Sequence, residues 1–210
     1  MATITKEQIQ TIVKIMAKTA EENRQYFSEL DAVMGDGDFG ESLNSGFQTV
    51  RADWDTYDMS TVGTFLKDIK KSFSRSTGGC SGTVWGTLFR ESGMALIDKQ
   101  EFNLEEAAQA LERAMAGISK KGGAVLGDKT VLDAFELIKN SLRQSELDGD
   151  DLPAALDKAA KLAVECKETT KGWVAKRGRQ FFTGDRSSGT YDPGIVAVGI
   201  MATNIAEAFK

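Results

Sequence analysis

"YFSELDAVMGDGDFG", Tyr26 to Gly40, holds a G-x-G-x-x-G spacing from Gly35 to Gly40. Such a loop binds a dinucleotide only when a strand leads into it, because the strand end and the following helix together present backbone N–H groups to the pyrophosphate. The residues before Gly35 read as helix, so a Rossmann fold is rejected. A calcium EF-hand is rejected as well, since Glu41 stands where that loop requires glycine and Phe47 where it requires a bidentate acid.

Outward from this stretch the apolar period stays close to that of a helix. Thr5 and Gln8 have capping-box spacing, followed by Ile9, Ile12, Val13, Met16 and Ala20 on one face. Leu43, Phe47, Val50 and Trp54 repeat the pattern, as do Val62, Phe65, Leu66, Ile69 and Phe73. A helix is expected from Ser81, and Asn103 with Glu106 opens another that Gly122 and Gly123 stop. Stripes through Val131 to Leu142 and Leu156 to Cys166 follow, and the last helix has Asp192 as N-cap and Pro193 at its first position. No segment alternates with period two. The expected fold is all-α, one domain over 1–210 with about eight helices and short connections.

Composition narrows the function. With 41% hydrophobic and 27% charged residues and two prolines, the chain reads as soluble and globular. No apolar run approaches the ~20 residues of a membrane span, and the start lacks a secretion signal, so a cytoplasmic address and no membrane partner are expected. A net charge of −5 argues against nucleic acid. Cys80 and Cys166 are unpatterned and read as reduced thiols. Histidine is absent, which removes the commonest general base and any phosphohistidine on this chain.

Asp36 and Asp38 are wrong for a bare phosphate loop but right for a magnesium–phosphate loop, with Asp31 supplying a third carboxylate. The spacing alone equally allows Asp36 and Asp38 to be turn residues or caps of the next helix. "STGGCSGTVWGTLF" puts glycines, Cys80 and Ser81 before a helix, a site for an anion or simply a flexible helix start. "RGRQFFTGDRSSGTYDPG" brings Arg177, Arg179 and Arg186 to a helix N-terminus; alone it reads as a solvated basic loop. "GGAVLGDKT" approaches Walker A spacing, but Asp128 intrudes before Lys129 and no strand precedes it.

In order, "ELDAVMGDGDFG", "GGCSGTVWGTLF", "GDKTVLDAF" and "GRQFFTGDRSSGTYDPG" resemble the signature blocks of the nucleotide-binding L subunit of dihydroxyacetone kinases, over essentially the whole chain. The resemblance implies a barrel of about eight antiparallel amphipathic helices, with ADP or ATP across one end on two Mg2+ ions. It implies Asp31, Asp36 and Asp38 as metal ligands, and Phe39, Gly40, Glu41, Ser42, Cys80 and Ser81 near the phosphates. Gly122, Val131, Arg179, Asp192, Pro193 and Gly194 would wall the nucleotide, with Arg179 also catalytic. The implied reaction is phosphoryl transfer to dihydroxyacetone or a related short ketose held on a separate subunit. A phosphohistidine-carrying phosphotransferase protein would recharge the ADP, and the family leaves room for a homodimer. The chain departs from phosphotransferase-dependent members in having Phe39 where they usually have histidine, and again near Thr190. An ATP-exchanging ketose kinase subunit, for example for erythrulose, and a non-catalytic magnesium–nucleotide adaptor are the alternative readings.

Overall fold

Side-chain caps set where the helices begin. In the computed structural model, which describes residues 2–210, Thr5 and Gln8 form the expected capping box at the head of α1 (Lys6–Glu22). Then come α2 (Arg24–Ala32), α3 (Phe39–Ala52), α4 (Val62–Ser76) and α5 (Gly79–Ala95). Asn103 and Glu106 cap α6 (Leu104–Gly122), which Gly123 ends in the left-handed conformation. α7 (Val131–Asp148), α8 (Leu152–Lys171) and α9 (Pro193–Ala208) complete the helices, the last opened by Asp192 and Pro193 as expected. Short 3-10 segments occupy Trp54–Thr56 and Arg179–Ser187. α5 starts two residues before the expected Ser81, because the Gly82 N–H already donates to Gly78 O at 3.0 Å.

The all-α reading holds, with one short ladder beside the helices that no period-two pattern announces. β1 (Thr3–Thr5) pairs antiparallel with β2 (Glu101–Asn103), Ile4 opposite Phe102. Each strand contributes one buried side chain, Ile4 and Phe102, so there is no alternation long enough to read. The ladder ends in the caps of α1 and α6 and thereby ties the starts of two distant helices together.

α1 and α2 run on as a kinked strut, with Asn23 N–H donating to Thr19 O and Phe27 N–H to Asn23 O. α3 lies beside the strut, each later helix packs on the one before it, and α9 returns to α1 and α2. Across that closure Asn204 Nδ2 donates to Thr19 Oγ1 at 2.9 Å. Neighbours alternate in direction: Thr77, just past α4, donates to Ser42 O in the first turn of α3, while Thr61, just before α4, donates to Ile97 O past the end of α5. With the strut counted once, the helices close an eight-membered antiparallel ring.

Its interior is aromatic. Phe47 meets Phe73 edge-on at 5.2 Å and Phe89 at 6.2 Å, and Trp85 meets Phe135 at 6.5 Å. Burying each such ring stabilises the fold by ~1.5–3 kcal/mol. The alternation gathers the N-termini of α3, α5, α7 and α9 at one end, opposite the β ladder. Those four positive dipole ends make that end the electrostatically favoured place for an anion. Among the described residues no helix is long and apolar enough to cross a membrane.

Candidate metal and phosphate site

At this end Asp31 lies in the last turn of α2, and the chain folds back over it. A methyl at Gly35 would lie 2.2 Å from Asp31 Oδ1, so only glycine permits the return. Gly37, with φ +74°, completes the turn. As a result Asp31, Asp36 and Asp38 each place a carboxylate oxygen within 4.8 Å of the others'. Asp31 is buried, Asp36 and Asp38 exposed. Burial raises the Asp31 carboxyl above its ordinary value; the Phe39 N–H, 3.4 Å from Oδ2, opposes this, and the charges of Asp36 and Asp38 add to it. Asp38 is also raised, first by burial and then by Asp36, with Arg179 counteracting. Asp38 does stand at the N-cap of α3, yet its side chain makes no capping hydrogen bond, which leaves the carboxylate free for other ligands. Three carboxylates that repel one another in one turn form a donor set suited to a hard divalent cation.

The basic segment divides its arginines. Arg177 donates to Gly123 O at 3.1 Å and lies 3.5 Å from Asp128, while Arg186 Nε reaches only the Thr183 carbonyl. Arg179 alone reaches the acidic turn, with Nη2 2.6 Å from Asp36 Oδ2.

Beside the acidic turn, α5 begins without a side-chain cap. The N–H groups of Gly79, Cys80 and Ser81 have no carbonyl a turn earlier in the helix to bond. A methyl at Gly78 or Gly79 would meet nothing within 4 Å, so the turn faces open space. Cys80 is exposed and Ser81 half-buried. Thr77 Oγ1, donating to Ser42 O at 3.1 Å, fixes this turn against the first turn of α3.

The other sequence-assigned positions divide between site and packing. Phe39 is half-buried, its ring 6.0 Å from that of Phe27. Glu41 is exposed and pairs with Arg24 at 3.3 Å. Gly40 is buried, and a methyl there would lie 1.9 Å from Arg24 O, so this glycine permits the close crossing of α2 and α3. Gly122 is exposed on the last turn of α6. Val131, Pro193 and Gly194 are buried; a methyl at Gly194 would come within 2.7 Å of Val131 Cγ1, which brings the heads of α7 and α9 together. Asp192 accepts the Ile195 N–H at 2.9 Å, and burial pushes its carboxyl up to about 6.

Two residues were not singled out from sequence. Thr77 carried no signal beyond its place before a glycine turn. Lys129, inside the near-miss Walker stretch, is fully buried and holds φ +62°, a left-handed conformation that costs a non-glycine residue on the order of 1 kcal/mol. A charged residue amid glycine and turn residues was its only trace.

Fold and site together define a ring-shaped helical domain with a carboxylate turn, an uncapped helix start and an arginine at one end. The chain matches the DAK2 domain family over residues 33–207 and belongs to it. It is similar to the PEP-dependent dihydroxyacetone kinase, ADP-binding subunit DhaL, of Escherichia coli K12, with 33% identity over 186 residues and 89% of each chain covered. It is also similar to the L-erythrulose 1-kinase of Mycolicibacterium smegmatis, with 29% identity over 95% of this chain and 35% of that protein. Among solved structures it resembles the dihydroxyacetone kinase from C. freundii in complex with AMP-PNP and Mg2+, at a TM-score of 0.73 and 23% identity. That match covers 94% of this chain but 33% of the solved one, so the chain spans about a third of the longer kinases it resembles.

Proposed function

We propose that the chain is the nucleotide-binding subunit of a dihydroxyacetone-type kinase, acting as one domain over 1–210. The observation that carries this is the meeting of Asp31, Asp36 and Asp38 with Arg179 at the end of the ring where α5 starts uncapped. The three aspartates would hold two Mg2+ ions, which supply charge neutralisation at the phosphates of ADP or ATP. The N–H groups of Cys80 and Ser81, with the turn from Phe39 to Ser42, take phosphate oxygens by the same attraction of a helix start for anions. Gly122, Val131 and the head of α9 from Asp192 to Gly194 form the nucleotide wall. Arg179 stabilises the charge that shifts to the bridging oxygen as the terminal P–O bond breaks and a ketose hydroxyl oxygen takes the phosphoryl group. The ketose sits on a separate subunit, and that subunit's groups accept the hydroxyl proton.

The printed name of the E. coli relative, PEP-dependent and ADP-binding, supports a resident ADP recharged by a phosphotransferase protein. This chain has no histidine, so the phosphohistidine belongs to that partner. A second reading, with ATP as exchanging donor and a ketose such as erythrulose as acceptor, is supported by the likeness to the erythrulose kinase. Phe39, packed towards Phe27 and offering no side-chain donor to phosphate, favours it too.

The test combines the chain with a dihydroxyacetone-binding subunit and compares two donors, ATP, and phosphoenolpyruvate with the phosphotransferase proteins. Product from phosphoenolpyruvate with catalytic amounts of ADP is expected. Product from ATP alone selects the second reading, and none from either donor overturns the kinase assignment.

A further inference from the structure

Lys129 belongs to no part of the site described above, yet its side chain is among the large fully buried ones of the protein. Nζ lies 2.7 Å from Ser187 O, 3.1 Å from Trp173 O and 3.3 Å from Lys171 O. An ammonium has three N–H donors, and here three carbonyls take them. Those carbonyls come from the end of α8, from the turn beyond it and from the end of the 3-10 segment, so one side chain clamps both ends of the excursion that carries Arg179. Other contacts lock the same base: Ser187 Oγ accepts the Ala175 N–H at 2.9 Å, and Lys176 N–H donates to Asp128 O at 3.1 Å. Burial lowers the Lys129 pKa, and the nearby charge of Asp192 opposes this.

We infer that Lys129 is a positioning residue for phosphoryl transfer: by tying residues 171, 173 and 187 to one point, it fixes where Arg179 can meet the acidic turn. The inference rests on the role assigned to Arg179 above. A clamp that only stabilised the fold would not need to bracket this arginine. It would also act the same whether or not Arg179 were present.

The experiment is a double-mutant cycle of Lys129→Met, which keeps an apolar stem but removes all three donors, with Arg179→Ala. In the otherwise wild-type protein Lys129→Met is expected to lower the transfer rate at least ~10-fold, with magnesium–ADP affinity by calorimetry within about 3-fold. Amide exchange, read without nucleotide, should quicken across 172–189 and stay unchanged in α4 and α5. On the Arg179→Ala background the lysine change should add less than about a factor of two, because its effect runs through the missing guanidinium. Equal fold-losses on both backgrounds, or unchanged exchange in 172–189, overturn the inference. Loss of transfer in Arg179→Ala but none in Lys129→Met overturns it alone; no loss in Arg179→Ala instead removes the role given to the arginine. Should Lys129→Met not fold, Lys129→Gln, which keeps an N–H donor, enters the same cycle. If neither folds, the lysine is structural and the inference fails.

Discussion

Arg179 Nη2 sits 2.6 Å from Asp36 Oδ2, joining the 3-10 segment after α8 to the turn after α2. The pair is largely exposed, so its own contribution to stability is small, at most ~1 kcal/mol. Its value is geometric. It places a guanidinium, with a fork of donors, against the carboxylates that would hold the metal.

Arg179→Ala should therefore lose transfer rate by ~100-fold or more, the cost of removing one preorganised donor to transition-state charge, and lose far less nucleotide affinity. Steady-state kinetics beside calorimetry with magnesium–ADP separates the two. Equal losses would make Arg179 a binding residue only.

Asp36→Asn and Asp38→Asn should each abolish magnesium-dependent ADP binding and leave the helical circular dichroism unchanged. Both substitutions remove like-charge repulsion, so the metal-free melting temperature should hold or rise for Asp38→Asn and change little for Asp36→Asn, which also gives up the exposed pair with Arg179. Wild-type ADP affinity in both variants would show that these carboxylates hold no metal.

Gly40→Ala would drive a methyl to 1.9 Å from Arg24 O and should cost ~2–4 kcal/mol, visible as a lower midpoint in urea. Gly78→Ala, with nothing within 4 Å of the added carbon, should cost little. A stable Gly40→Ala protein with weakened nucleotide binding would mean that the glycine serves the phosphates and not the crossing.

The pH dependence singles out Asp192, whose carboxyl is raised to about 6. A raised acid stabilises the fold below its unfolded pKa of about 4, and that stability is lost as pH rises through the folded value. Asn caps as well as Asp. Asp192→Asn should thus gain on wild type between pH 4 and about 6, by on the order of 2 kcal/mol at the plateau, in melting curves taken across that range. A difference independent of pH would mean that Asp192 is not raised.

Nucleotide should copurify in Mg2+ buffer, survive desalting and leave on adding EDTA, since carboxylates and phosphates would then face each other unscreened. Protein that emerges free of nucleotide in Mg2+ yet turns over ATP with its partner would favour an exchanging donor.

The helices were legible because their signals are local: Thr5 with Gln8, Asn103 with Glu106 and Asp192 with Pro193 all cap as the sequence implies. The gathering of Asp31, Asp36 and Asp38 was legible for the same reason, since they lie close together along the chain. Arg179 could be separated from Arg177 and Arg186 only through the family resemblance, since their different partners depend on tertiary placement. Gly40 has a second reason that the sequence hides. A glycine within a glycine loop suggests phosphate, and only the packed α2–α3 crossing shows what its missing side chain also makes room for. Lys129 was hidden because burial of a lysine is decided by carbonyls that lie far along the chain.

The ring has one seam. With α1 and α2 counted as one member, the other neighbouring members are consecutive in sequence, whereas Asn204 and Thr19 bond across 185 residues. Bringing such distant ends together costs ~1.6 kcal/mol more chain entropy than closing a hairpin of about 30 residues. Local helix pairs can form early and cheaply, and the meeting of α9 with α1 must come late. Until then the inner faces of both helices stay open to water, and the aromatic interior lacks one wall. The unsealed seam is therefore the state in which a nascent chain is most exposed to association with its copies.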